Sequence, residues 1–177
     1  PTRAEVADVA GAVRQGFGAV MLSAETATGY DPINAVTAMA RICEANENHG
    51  GHKAFADAHP TESAVGAATA ALAQRTGAAS IIALTYSGFS SEILSACRPS
   101  AQIIAATPSH DVARRLRLYW GVTPLVCPRD SNMTKAVDDA FEASVDEGLV
   151  QSNELVVVCA SRENMRSTAD TIWVHNA

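Results

Sequence analysis

Lysine is nearly missing from this chain of 177 residues: Lys53 and Lys135 are the only two. With 13 Lys+Arg against 19 Asp+Glu, the formal charge is −6. That balance does not suit a protein that wraps a nucleic-acid backbone, whose binding depends on neutralising phosphates with cationic side chains. Long apolar runs are also missing. None approaches the ~20 residues of a membrane span, and no signal-peptide pattern opens the sequence. A soluble, cytoplasmic protein with neither nucleic-acid nor membrane partner is expected. Cysteine is sparse and scattered, with Cys43, Cys97, Cys127 and Cys159 each 30 or more residues apart and no CxxC pair. Buried thiols of a reducing compartment are expected, rather than a disulfide frame or a zinc site. Catalytic signatures are missing as well: there is no nucleophile elbow, no Walker loop and no GxGxxG.

Charged residues make up 18% of the chain, below the roughly 25% of an average soluble domain. Apolar residues make up 47%, and thirty-four of them are alanines. This composition rules out a disordered chain and points to closely packed helices. Thr2 and Glu5 form a capping box, and Val6, Val9, Ala10 and Val13 then recur on one helix face. Gly16 and Gly18 end that helix. Ala19-Val20-Met21-Leu22 reads as a short buried parallel strand. After a loop over 23–30, Asp31-Pro32 supplies an N-cap with proline at the first helical position. Ile33, Val36, Ala40 and Cys43 continue this second helix to about Asn46.

Residues 47–60 change character, with three histidines, two glycines, two asparagines nearby and few large apolar side chains. They read as a linker between residues 1–46 and 61–177. Beyond it the alternation is regular. Helices are expected over 61–76, 88–97, from Ser109 through Tyr119, and around Val137–Val145. Strands are expected over 80–85, 102–107, 122–127 and 154–160. A last strand, 171–175, follows a ten-residue loop without a helix signal and so returns antiparallel. The fold class is therefore α/β: a mostly parallel five-stranded sheet with helices on both faces.

Two places could carry chemistry. Thr85-Tyr86-Ser87-Gly88-Phe89-Ser90 joins a strand's carboxyl end to a helix N-terminus. It offers three hydroxyls and a glycine that lets the backbone come close, a composition that suits either an anion site or an ordinary helix cap. Ser23-Ala24-Glu25-Thr26 follows the first expected strand, where α/β folds place active sites, although a polar loop would look the same. Arg162 and Arg166, on the loop before the last strand, would face an anion if that loop and the Thr85–Ser90 turn share one sheet end. Glu47, His49, His52, Asp57 and His59 fit no common zinc spacing and read as solvated linker side chains. Trp120 and Trp173 read as strand packing. Arg114, Arg115 and Arg117 read as a solvated face or a subunit contact.

The opening Pro1-Thr2-Arg3-Ala4-Glu5-Val6-Ala7-Asp8-Val9-Ala10, with Ala19-Val20-Met21-Leu22-Ser23-Ala24-Glu25-Thr26, resembles the end of the catalytic barrel of pyruvate kinase. The resemblance continues through Ala83–Ser90, Arg98–Ala105 and Tyr119–Pro124, and fades after about Cys127. It implies that residues 1–46 end a (β/α)8 barrel as helix–strand–helix and that 61–177 form the carboxy-terminal regulatory domain. It implies Ser23 and Glu25 at the catalytic mouth. It also implies Thr85, Ser87, Gly88 and Ser90 as a phosphate-binding effector turn. The activity it implies is phosphate transfer from phosphoenolpyruvate to ADP, giving pyruvate and ATP, with Mg²⁺ and K⁺ as helpers in a homotetramer.

Two features depart from that pattern. The family's usual Ser-Gly-Glu-Thr reads Ser-Ala-Glu-Thr over residues 23–26. The stretch 161–170 has no glycine or proline and includes Glu163, unlike the loops of members activated by fructose 1,6-bisphosphate. A sugar monophosphate, AMP or no effector remains open. A barrel needs ~250 residues, so no metal is expected on this chain alone, and no kinase activity either. Pro1 in place of Met points to a processed or excised chain. The alternative function is a free-standing phosphate-ligand-binding regulatory domain without catalysis.

Overall fold

The computed structural model describes residues 1–47, 59–128, 130–161 and 169–176. Contacts divide the chain into two units, Pro1–Lys53 and Ala54–Ala177.

In the first unit, α1 (Arg3–Arg14) starts on the expected capping box. The Thr2 hydroxyl accepts from the Glu5 N–H at 3.3 Å, and the Glu5 carboxylate accepts from the Thr2 N–H at 2.6 Å. These reciprocal bonds satisfy donors that a helix start otherwise leaves open. A short helix, α2 (Ala24–Ala27), lies inside the stretch expected to be loop. In α3 (Pro32–Glu47), the Asn34 N–H donates to Asp31 Oδ1 at 3.0 Å, as the Asp-Pro signal requires. α3 packs on α1.

The expected strand Ala19–Leu22 is not formed. Its residues carry no regular secondary structure, and Met21 is 84% exposed. A parallel strand exists only through hydrogen bonds to neighbouring strands, and no strand among the described residues pairs with this one. The apolar run records a preference for burial, but this unit supplies nothing to pair it with.

The second unit alternates helix and strand: α4 (Pro60–Thr76), β1 (Ser80–Leu84), α5 (Phe89–Ala96), β2 (Gln102–Thr107), α6 (His110–Leu116), β3 (Val122–Val126), α7 (Met133–Asp146), β4 (Leu155–Ala160) and β5 (Thr171–Asn176). Strand order is β3-β2-β1-β4-β5. The first four strands pair in parallel, and β5 runs antiparallel to β4. This is the mostly parallel sheet expected from the sequence, including the reversal of the last strand.

Successive strand residues point to opposite faces, and here both faces are covered. Ile82, Ile104, Val156 and Val158 pack with Val137, Ala140 and Phe141 of α7. Ile81, Ile103, Val157 and Cys159 pack with Ala73 of α4 and Leu94 of α5. That is why the strands read as unbroken apolar runs rather than alternating ones. Ile81, Ile82, Ile103 and Ile104 are fully buried, each worth about 1.5–3 kcal/mol relative to exposure. Ser109 caps α6 through the Val112 N–H, and Asn132 caps α7 through the Lys135 N–H. Gly77, in the left-handed conformation, ends α4.

Candidate functional site

The strand order fixes where a ligand can approach. From β1 the chain winds through β2 to β3 on one side, then returns to place β4 on the other side of β1. In open α/β sheets, the carboxyl ends of strands at such a reversal diverge and leave a crevice. Thr85 follows β1 and Ser161 follows β4, and the register Ala83↔Cys159 brings these two strand ends level.

The turn after β1 is built around Thr85 and Gly88. Thr85 is buried; its N–H donates to the Ala106 carbonyl at 3.0 Å, so the sheet holds its backbone. Its hydroxyl accepts from the Gly88 N–H at 2.9 Å. The Ser87 hydroxyl is exposed and accepts from the Phe89 N–H at 3.4 Å. Gly88 has φ +94°, in the left-handed region that L side chains rarely adopt, and it is the N-cap of α5. It has no side chain to cap the first turn. A Cβ there would also lie 3.1 Å from both Arg115 Nη2 and Leu116 Cδ2. Glycine thus does two things at once: it turns the chain and admits α6 against the turn. Ser90 is half-buried in the first turn of α5, and with Glu62, Gly66 and Cys159 it lines a small hollow between α4 and α5.

From the sequence Arg115 reads as part of a solvated face or a subunit contact. The structure brings its guanidinium to the turn, where Nη2 donates to the Ser87 carbonyl. Glu92 Oε1 lies 3.9 Å away. Burial pushes the Tyr119 phenol up from its usual range, and a hydrogen bond to Glu92 adds to the shift. Two buried hydroxyls, Ser91 in the first turn of α5 and Ser161 after β4, have no hydrogen-bond partner among the described residues. Leaving such a group unmatched costs about 1–3 kcal/mol. The turn therefore brings together the start of α5, whose Phe89 N–H donates to the Ser87 hydroxyl, the hydroxyls of Thr85 and Ser87, and a guanidinium, a combination that suits an anion.

Of the residues expected at this site, Thr85, Ser87, Gly88 and Ser90 share one turn, while Arg162 and Arg166 lie outside the described residues. Missed were Arg115, Glu92, Ser91 and Ser161. The helix starting at Ser109 is legible from the sequence, but which turn Arg115 reaches depends on the sheet order, which spacing does not encode.

Ser23 and Glu25 lie in the first unit. The Ser23 N–H donates to Glu25 Oε2 at 2.9 Å, and the Thr26 hydroxyl donates to the Ser23 carbonyl at 3.2 Å. Backbone N–H bonds, from Glu25 itself and then from Ser23, hold the Glu25 carboxyl below its usual range. Its carboxylate thus completes a local turn. Glu25 also borders a cleft of about 470 Å³ with Glu5, Asp8, Met21 and Tyr30. Among the described residues no group of three or more His, Cys, Asp or Glu side chains is placed to hold a metal ion. No described helix is long and apolar enough to cross a membrane.

A doubly wound α/β domain with an anion-suited turn at its strand reversal is a ligand-binding class of fold. The comparisons identify the lineage. Residues 63–175 match the family model "Pyruvate kinase, alpha/beta domain", and residues 1–36 match "Pyruvate kinase, barrel domain". The chain is 42% identical over 164 residues to a pyruvate kinase of Agrobacterium vitis, covering 89% of this chain and 35% of the relative. It is 38% identical over 177 residues to pyruvate kinase 2 of Synechocystis, covering 98% of this chain and 30% of the relative. It is 36% identical over 166 residues to a pyruvate kinase of Clostridium acetobutylicum, covering 90% of this chain and 35% of the relative. The chain belongs to the pyruvate kinase family. It spans about a third of the length of these curated relatives.

Proposed function

We propose that this chain acts as the regulatory and assembly portion of a cytoplasmic pyruvate kinase. The parent enzyme transfers phosphate from phosphoenolpyruvate to ADP, giving pyruvate and ATP, and the Thr85–Ser90 turn takes the phosphate of an effector. The observation that carries the effector site is Gly88. It is left-handed and, as N-cap, brings no side chain of its own to the start of α5, at the reversal in the strand order.

Phosphoryl transfer relies on positioned charge: metals, their carboxylate ligands and a lysine or arginine clamp. Residues 1–36 match a barrel model, and a closed barrel takes ~250 residues. Among the described residues no group of three or more His, Cys, Asp or Glu side chains gathers as an Mg²⁺ site would need. Mg²⁺ and K⁺ belong, in this reading, to other parts of the enzyme, with Ser23 and Glu25 standing at the mouth of its site. The first unit exposes Met21, Tyr30, Ile33 and Val36, apolar surface of the kind a larger assembly covers. A homotetramer is the proposed assembly.

Calorimetric titration of the chain with inorganic phosphate tests the effector site. Saturable binding that weakens at least about tenfold in Thr85→Val/Ser87→Ala is expected. Absence of binding at millimolar phosphate contradicts the reading. In a coupled pyruvate assay the chain alone is expected to show no turnover.

A further inference from the structure

We infer that Arg115 is the residue that discriminates charge at the Thr85–Ser90 turn, and that Glu92 keeps it there when no anion is bound; this rests on the anion-binding reading above. Three observations converge. The guanidinium already reaches the turn, donating to the Ser87 carbonyl. The Cβ missing at Gly88 leaves room for it, since any other residue would set a carbon 3.1 Å from Nη2. Ser91, in the first turn of α5, and Ser161, which follows β4 and stands level with the end of β1, are buried with no hydrogen-bond partner among the described residues.

A guanidinium carries five N–H donors in a fixed plane. One serves the Ser87 carbonyl, and Glu92 at 3.9 Å supplies a loose counter-charge rather than a tight bidentate pair. The Arg115 side chain is 53% exposed, so it moves without breaking core packing. An incoming phosphate dianion spreads two negative charges over its terminal oxygens and outcompetes a neutral carbonyl for the same donors. Glu92 has the opposite effect on the ligand. At 3.9 Å from that guanidinium, it adds negative charge beside the turn, so an anion gains there only by engaging Arg115. The site is thereby set for a phosphate monoester or inorganic phosphate and against a carboxylate, which carries half the charge.

The test titrates inorganic phosphate, with acetate as the comparison anion, into the whole chain and follows backbone amide shifts. In the unaltered chain, phosphate shifts Gly88–Ser91 and the Arg115 guanidinium signals, and acetate does so far more weakly. Arg115→Ala is expected to weaken phosphate binding about tenfold or more, the loss of a charge-assisted bond, and to erase the preference over acetate. Arg115→Lys restores part of the affinity. Arg117→Ala, on the same helix, changes it less than about twofold. Glu92→Gln tightens phosphate and acetate alike. A melting temperature held across the variants separates these effects from unfolding. Phosphate binding equal in Arg115→Ala and Arg117→Ala overturns the role of Arg115 while leaving the turn as the anion site. No shift at Gly88–Ser91 in the unaltered chain overturns both.

Discussion

Arg115 donates its guanidinium to the carbonyl of Ser87, twenty-eight residues earlier in the chain. Through that bond the helix after β2 is tied to the turn after β1, and Gly88 makes the approach sterically feasible. One residue's missing side chain therefore bears on both the conformation of the turn and the charge beside it.

Gly88→Ala is accordingly expected to cost stability and binding together. An L-residue in the left-handed region loses about 1–2 kcal/mol, and the new Cβ meets Arg115 and Leu116 at 3.1 Å. Urea unfolding should show that loss, and phosphate affinity should fall in the same variant.

Gly66→Ala tests the spacing of α4 and α5. In an exposed helix the change would gain up to about 1 kcal/mol. Here the new carbon would sit 2.7 Å from Ile93 Cγ2 and 3.2 Å from Cys97 Sγ. Overpacking of that kind costs about 1–3 kcal/mol, so a lowered urea midpoint is expected despite the favourable propensity.

Both glycines show where sequence reading stops. The helix starts at Thr2, Asp31 and Ser109 were legible because a cap is a local bond between residues two or three apart. The strands of Ile81–Ile82, Ile103–Ile104 and Val156–Val158 were legible because a sheet covered on both faces needs unbroken apolar runs. Ala19–Leu22 misled because it carries the same pattern without a partner strand among the described residues. Arg115 and the unmatched hydroxyls of Ser91 and Ser161 were illegible, since their meaning arises only when distant segments meet at the strand reversal.

Thiol chemistry gives an independent check on the core. Burial pushes the Cys159 thiol up to about 11, only partly offset by the Thr69 hydroxyl. Thiolate is the reactive form, so Cys159 should resist a disulfide-exchange reagent at neutral pH in the folded chain and react fully in denaturant. Cys43, half-buried in the first unit, should react first. Prompt labelling of Cys159 in the folded state would contradict the described packing of β4.

The capping box of α1 predicts a pH dependence of definite sign. The Thr2 N–H, then the Thr2 hydroxyl, hold the Glu5 carboxyl below its usual 4.5. A depressed carboxylate contributes fully above the unfolded value and loses its contribution as pH falls through the folded one. Helicity of α1, followed by the amide shifts of residues 3–8, should therefore decline below about pH 4.5. Glu5→Gln should remove most of that dependence.

The first unit's surface predicts association. Met21 and Ile33 are 84% and 80% exposed, and patches of this kind seek cover. Light scattering should show dimers or larger species, reduced by Met21→Ser/Ile33→Glu. A clean monomer at high concentration contradicts this.

The central claim is that an anion docks at the Thr85–Ser90 turn. Crystals soaked in tungstate, a tetrahedral oxyanion with strong anomalous scattering, test it most directly. The account predicts an anomalous peak within hydrogen-bond reach of the Gly88–Ser91 amides and the Arg115 guanidinium. Peaks only elsewhere, or no peak at that turn, would contradict it.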